Sequence, residues 1–320
     1  MVSSRTSAPE SLNPEALDPE GATSAAANAA GRDALGDRLI QGSMRRSFNS
    51  NIDVDWDAPQ DPDLFYLPPE MMSLYGTPLW ESMTHRQRVE LSRQEAANTL
   101  TRAVWFENTL NQGLLRAMLH QDPTSRNVHY ALTEIGDETR HMVMFGRAVS
   151  AIGALPYRLS RREALAVQAM PLAYRGLMLW VAALCGEEVI DESQKQNARH
   201  PDVQPIMLQV FRIHVTEEAR HIRYAREGVR RRIARAPWWE RQFVATANGG
   251  AAFILRRLYY DKEVYRRCGL PVREAMRQAR NNEQVRARRR ESFEGLYEFL
   301  TENGLLNPIS RLLWRSHGFL

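Results

Sequence analysis

Cysteine is nearly absent: Cys185 and Cys268 are the only two in 320 residues. Two thiols cannot build a disulfide framework or the usual thiolate zinc site, and such sparing use fits a reducing cytoplasm, which is the expected location. An excess of charge of one sign is lacking too. Lys+Arg total 42 against Asp+Glu 38, a formal net charge of +4. No strong field follows, and a pI near 9.2 is too little to imply a nucleic-acid partner. The basic runs Arg230-Arg231-Arg232 and Arg286 to Arg290 have no interleaved aromatics and sit near Glu residues, so they read as solvated helix faces. Long apolar runs are missing as well. The most apolar stretch, Gly176 to Gly186, is too short to span a bilayer. The N-terminus has no charged start followed by an apolar stretch, so a signal peptide is not expected, and neither is a membrane partner.

What remains is a chain with 43% apolar residues, enough for a sizeable core. Residues 1–36 are rich in Ser, Ala, Pro, Gly and Asn and read as a disordered tail. Residues 37–320 read as one domain. Its first part, 37–80, carries scattered anchors (Ile52, Trp56, Phe65, Tyr66) among Asp and Pro and is expected to wrap the surface as an extended arm. Helical spacing of apolar residues begins near Thr84 and has no proline until Pro123. Thr124 or Ser125 can cap the next helix, which ends at Gly153. Ser160 can cap a third segment, interrupted at Pro171 and running to about Ala198, and Pro201 opens a fourth running to about Ala236. No convincing strand pair appears. The expectation is an all-α chain, with four long helices over 84–236 and further helices over 237–320.

Two short segments carry the chemistry. Asp137-Glu138-Thr139-Arg140-His141 and Glu217-Glu218-Ala219-Arg220-His221 each contain Glu-x-x-His. Residues three apart share a helix face, so carboxylate and imidazole can reach one point. Helical bundles with two iron or manganese ions use this pair twice and add one Glu from each of two other helices. The two motifs lie 80 residues apart, and the same offset links Glu107 to Glu187. Both lone carboxylates sit in apolar stretches, where an unpaired charge is costly. Six positions thus predict one another, as in a bundle with internal two-fold symmetry. Glu188 rivals Glu187, and Glu95 rivals Glu107. Core-like neighbours favour Glu187, and polar ones (Ser92, Asn98, Thr99) disfavour Glu95. Trp105 and Phe106 read as core, and so does Cys185. The alternative for Glu107 is a buried pair with Arg102. Asp137, Glu217 and Asp191 are candidate acceptors for the second ring N–H of the histidines, with Arg140 and Arg220 balancing them.

His214 breaks the symmetry. It shares the face of Glu218 and His221, while the equivalent position in the first half is Glu134. A third histidine would give one metal an extra nitrogen and leave the other more open. Mixed imidazole and carboxylate donors suit iron, and manganese is an alternative occupant.

The runs LSRQEAANTLTRAVWFENTLNQ, YALTEIGDETRHMVMFGRA, CGEEVIDE and FRIHVTEEARHIRYARE resemble the di-iron arylamine oxygenase family typified by p-aminobenzoate N-oxygenase, most clearly over residues 85–230. The resemblance implies a ferritin-like bundle, often a homodimer, whose two irons are ligated by Glu107, Glu138, His141, Glu187, His214, Glu218 and His221. It also implies dioxygen and an external electron donor, used to oxidise a small amine through hydroxylamine to nitro. The alternatives are a hydroxylase or desaturase acting on C–H bonds on the same core, and a non-enzymatic iron-binding protein.

Overall fold

The computed structural model describes residues 19–320, with side chains from residue 30. Thirteen α-helices are present among the described residues, and the only β feature there is an isolated bridge between Phe65 and Val203. The fold is all-α.

Four long helices form the centre: α3 (His85–Met118), α4 (Arg126–Ala151), α6 (Gly176–Asn197) and α7 (Pro205–Ile233). α3 packs along α4 and α6 along α7. The two pairs meet through α4 with α7 and α3 with α6. Within each pair the connection is short. Between the pairs the chain crosses over through α5 (Arg161–Ala173). One long crossover in a four-helix bundle is the ferritin-like connectivity.

Side-chain caps fix the helix starts. Thr84 and Gln87 form a capping box at α3, Ser125 accepts from Val128 N–H at α4, and Ser160 and Glu163 form a second box at α5. Gly153, at φ +66°, ends α4 where a side chain would be strained. Pro171 does not break α5 but lies in its last turn; the break comes at Tyr174-Arg175. α7 begins at Pro205 rather than Pro201, because 201–204 is held in a turn in which the N–H of Gln204 donates to Phe65 O at 2.8 Å.

The N-terminal expectation needs correcting. Residues 1–18 of the predicted tail lie outside the described residues. From residue 19 the predicted tail and the start of the predicted arm form α1 (Pro19–Arg45). Alanine costs least to fix in a helix, and Leu35 and Leu39 find a partner surface in Tyr130, Ala131 and Tyr224 of α4 and α7. The arm proper follows α1. Phe65 and Tyr66 are buried and Trp56 packs at the core edge, but Ile52 is 78% exposed and anchors nothing. Within the arm lies the short α2 (Pro78–Glu81).

The C-terminal part is α8 (Trp238–Ala247), α9 (Ala251–Tyr259), α10 (Lys262–Arg267), α11 (Val272–Asn281), α12 (Glu283–Glu302) and α13 (Pro308–Ser316). α12 packs on α6, and α9 reaches both α3 and α6. Among the described residues no helix is long and apolar enough to cross a membrane.

Candidate metal centre

All seven predicted ligands are buried, none more than 4% exposed. α3 supplies Glu107, α4 Glu138 and His141, α6 Glu187, and α7 His214, Glu218 and His221. Two groups of donor atoms, each mutually within 4.8 Å, form around them: Glu107, His141, His214 and Glu218, and Glu138, Glu218 and His221. Glu218 belongs to both.

Two carboxylates stand between two imidazoles. Glu138 reaches His141 Nδ1 at 3.3 Å with one oxygen and His221 Nδ1 at 2.8 Å with the other. Glu218 lies 3.6 Å from each of the same two nitrogens, again through different oxygens. His214 enters from the opposite sense: its Nε2 is 3.4 Å from Glu107 and 3.1 Å from Glu218. Phe145 packs at 4.9 Å between ring centroids from His214, so the site has an apolar wall.

The outer ring nitrogens are held by carboxylates of the other half of the chain. His141 Nε2 lies 2.8 Å from Glu217, and His221 Nε2 3.3 Å from Asp137. With each carboxylate accepting an N–H, Nδ1 of both rings is left as the inward lone pair. Arg140 pairs with Asp137, and Arg220 lies 3.5 Å from Asp137 and 3.8 Å from Glu217. Phe48 N–H, just beyond α1, donates to Glu217 at 3.2 Å. Asp191 does not serve a histidine: it pairs with Lys195, one turn along its own helix, at 2.9 Å.

The rival residues have different surroundings. Glu188 is bound by Arg226, with Nε at 3.0 Å. Glu187 is 3% exposed, and neither of its oxygens has a hydrogen-bond partner. It is in neither close group, but it is near enough to the others to feel them: burial, then Glu218, Glu134 and Glu138, push its carboxyl well above the usual range. Glu95 accepts from Ser73 N–H at 3.1 Å and from the Ser73 hydroxyl, away from the cluster. Glu107 is not the partner of Arg102, which pairs with Asp261 at 2.6 Å.

Glu134 is the residue that sequence reading noted only as the counterpart of His214. It is 1% exposed, with one oxygen unpartnered, and burial pushes its carboxyl up to about 8. The signal was available: a Glu one turn before Glu138 on the same face.

The donor set fits two metal ions. One oxygen of Glu107, Glu138 and Glu218, both of Glu187 and Nδ1 of His221 are buried without a hydrogen-bond partner. Such groups are costly to leave unsatisfied. Without a cation the cluster divides its charge unevenly. Burial pushes Glu107 well above the usual carboxylate range, against its bond to His214. Glu218 is held well below that range despite burial, by His214 and His221. Burial alone would lower His141 and His214, but their carboxylate partners push both up to about 9. Two divalent cations would satisfy the orphaned atoms together. Iron fits these oxygen and nitrogen donors, with manganese an alternative.

The chain matches the family described as "P-aminobenzoate N-oxygenase AurF" over residues 29–304. An uncharacterized protein of Mycobacterium tuberculosis (strain CDC 1551 / Oshkosh) is 30% identical over 303 residues, covering 87% of this chain and 84% of that protein. An uncharacterized protein of Mycobacterium bovis (strain ATCC BAA-935 / AF2122/97) is 29% identical with the same coverage. Among solved structures, an R2-like ligand-binding oxidase mutant with aerobically reconstituted Mn/Fe cofactor aligns over 89% of both chains, with 15% identity and a TM-score of 0.38. A second R2-like ligand-binding oxidase structure aligns over 90% of both, with 16% identity and a TM-score of 0.39.

Proposed function

Because the chain belongs to the p-aminobenzoate N-oxygenase AurF family, a family of di-metal oxygenases, we propose that it N-oxygenates an amine at a di-iron centre ligated by Glu107, Glu138, His141, Glu187, His214, Glu218 and His221. The carrying observation is the approach of His214 Nε2 to Glu107 and Glu218. That third imidazole would give one ion a nitrogen donor with no counterpart in the other half, where Glu134 stands at the equivalent position.

When bound, the two irons supply the electrons that reduce dioxygen. The chain does the rest. Glu138 and Glu218, each facing both His141 and His221, would hold the metal pair between the two halves of the site. Glu217 and Asp137 fix the tautomer and orientation of those rings. Glu187, with both oxygens unpartnered, is the ligand freest to turn as oxygen and substrate arrive. Phe145, packed on the His141 and His214 rings, keeps water from that side of the cluster. The first oxidation balances as amine plus dioxygen plus two electrons and two protons giving hydroxylamine and water. An external donor supplies the electrons.

The test is an amine panel given to iron-reconstituted protein with a chemical reductant and oxygen. The expected result is about two metals per chain and conversion of an amine to hydroxylamine or nitro product. His214→Ala should keep the fold and part of the iron but lose turnover. Turnover of a C–H bond with no amine oxidised would move the reading to a hydroxylase. Iron uptake far beyond two per chain without substrate oxidation would move it to storage.

A further inference from the structure

Two adjoining apolar cavities lie beneath α5 and α9, of about 310 and 260 Å³. They share Phe106, Met170, Gly250, Ile254 and Leu255 in their walls. Their floor lies on the helices of the metal centre. Phe106 precedes Glu107 on α3, Gly186 precedes Glu187 on α6, and Ile190 follows Glu187 by one turn. The Phe106 ring lies over Gly186 so closely that a Cβ there would sit 1.8 Å from Cζ. The Phe106 ring is thus common to both cavity walls and packed on the Gly186 backbone, and it sits one residue along the chain from Glu107.

The lining offers nothing to a charged or strongly polar ligand. Arg102 is paired with Asp261, and Arg257 with Glu163. The Thr109 hydroxyl donates to Phe106 O at 2.8 Å. Among the described residues, no residue lining either cavity has a buried polar side-chain atom without a partner. Size argues in the same direction. An apolar cavity of about 150 Å³ is enough for benzene, and each of these is larger. A neighbouring cavity that shares Ile190 and Leu258 with the larger one, beside Glu95 and Gln194, is only about 50 Å³ and has room for a few waters. The cover is apolar on its outer side as well: Leu165 and Leu172 of α5 are 68% and 61% exposed, and Phe253 and Ile254 of α9 are 52% and 50% exposed.

We propose that these joined cavities are the substrate channel, that Phe106 is its inner gate, and that the substrate is an amine carrying an apolar body larger than one aromatic ring. The proposal rests on the oxygenase reading for the reacting group, but its evidence and its test concern binding alone.

Gly250 makes the test clean. It lines both cavities, has helical backbone angles (φ −64°, ψ −25°), and a Cβ built on it meets nothing within 4 Å. A larger residue there adds bulk without backbone strain. The experiment titrates metal-loaded full-length protein with the fluorescent apolar amine N-phenylnaphthylamine, then competes it with 4-octylaniline or with aniline, both uncharged at neutral pH. Saturable binding displaced by 4-octylaniline but not by aniline is expected. Gly250→Trp and, one turn further along the same wall, Ile254→Trp should each weaken the probe at least tenfold, with metal content and circular dichroism unchanged. Equal affinity in both variants, or displacement by aniline as effective as by 4-octylaniline, overturns the proposal. Intact selective binding with no amine oxidised would sink the N-oxygenase reading alone. Turnover of one-ring amines, indifferent to both variants, would sink the channel alone.

Discussion

Glu217 holds His141 across the bundle: its carboxylate lies 2.8 Å from Nε2 of the ring, while its other oxygen accepts from Phe48 N–H at 3.2 Å. The acceptor is thus itself fixed by the chain leaving α1. Loss of such an outer partner typically costs 10–100-fold in metal affinity. Glu217→Ala should weaken iron binding by about that factor in a chelator competition, and Glu217→Gln by less, because its amide oxygen still accepts the ring N–H. Unchanged affinity in Glu217→Ala would show that the contact orients nothing.

Glu187 and Glu188 should part company in sign as well as size. Removing the partly exposed Glu188–Arg226 pair is worth about 0–1 kcal/mol, and Glu188→Ala should leave metal content untouched. Glu187→Met removes a buried, unpartnered carboxylate, so the metal-free protein should melt higher. The metal-loaded protein should lose occupancy and with it the stabilisation that binding confers. Thermal melts with and without iron, beside metal analysis, read both effects.

Gly186→Ala should be destabilising although it adds one methyl group. The added carbon would overlap the Phe106 ring, and overpacking of this kind costs about 1–3 kcal/mol. Phe106→Leu should relieve part of it, giving a non-additive double-mutant cycle. Additive melts would mean the ring moves aside freely.

Glu95 gives a pH signature separate from the metals. Burial pushes its carboxyl up to about 7, against the opposing hydrogen bonds from Ser73, whereas its ordinary value is 4.5. Between those values the folded protein keeps a proton that the unfolded chain releases. The stability this contributes is whole below 4.5 and is lost as pH rises through about 7. Glu95→Gln cannot lose that proton. Its stability relative to wild type should therefore rise across the window, by on the order of 3 kcal/mol if the whole shift is expressed. A difference that stays flat from pH 4.5 to 8 in urea titrations would contradict this.

Much of the site was legible because a helix turns spacing into direction. The 80-residue offset picked out six positions that are all buried, five of them in the two close groups of donor atoms, and the residues before each Glu-x-x-His, Asp137 and Glu217, turned up holding the opposite histidine. What stayed hidden depends on partners far away in the chain. Asp191 was a reasonable histidine partner until Lys195 took it. Phe106 read as core because its cavities are closed by α5 and α9, which no local pattern ties to α3. The helix over 19–45 was missed because composition was weighed as a tail, while alanine propensity and the buried Leu35 and Leu39 favoured order.

The exchange of acceptors between the two halves has a consequence for assembly. Asp137 serves His221, and Glu217 serves His141, so neither half owns a finished half-site. A chain of one repeat could orient its histidine only by pairing head-to-head with a second copy. With both halves in one polypeptide the two need not be identical, and that is what allows His214 to stand on one side and Glu134 on the other. A symmetric dimer would have to carry the same residue at both places.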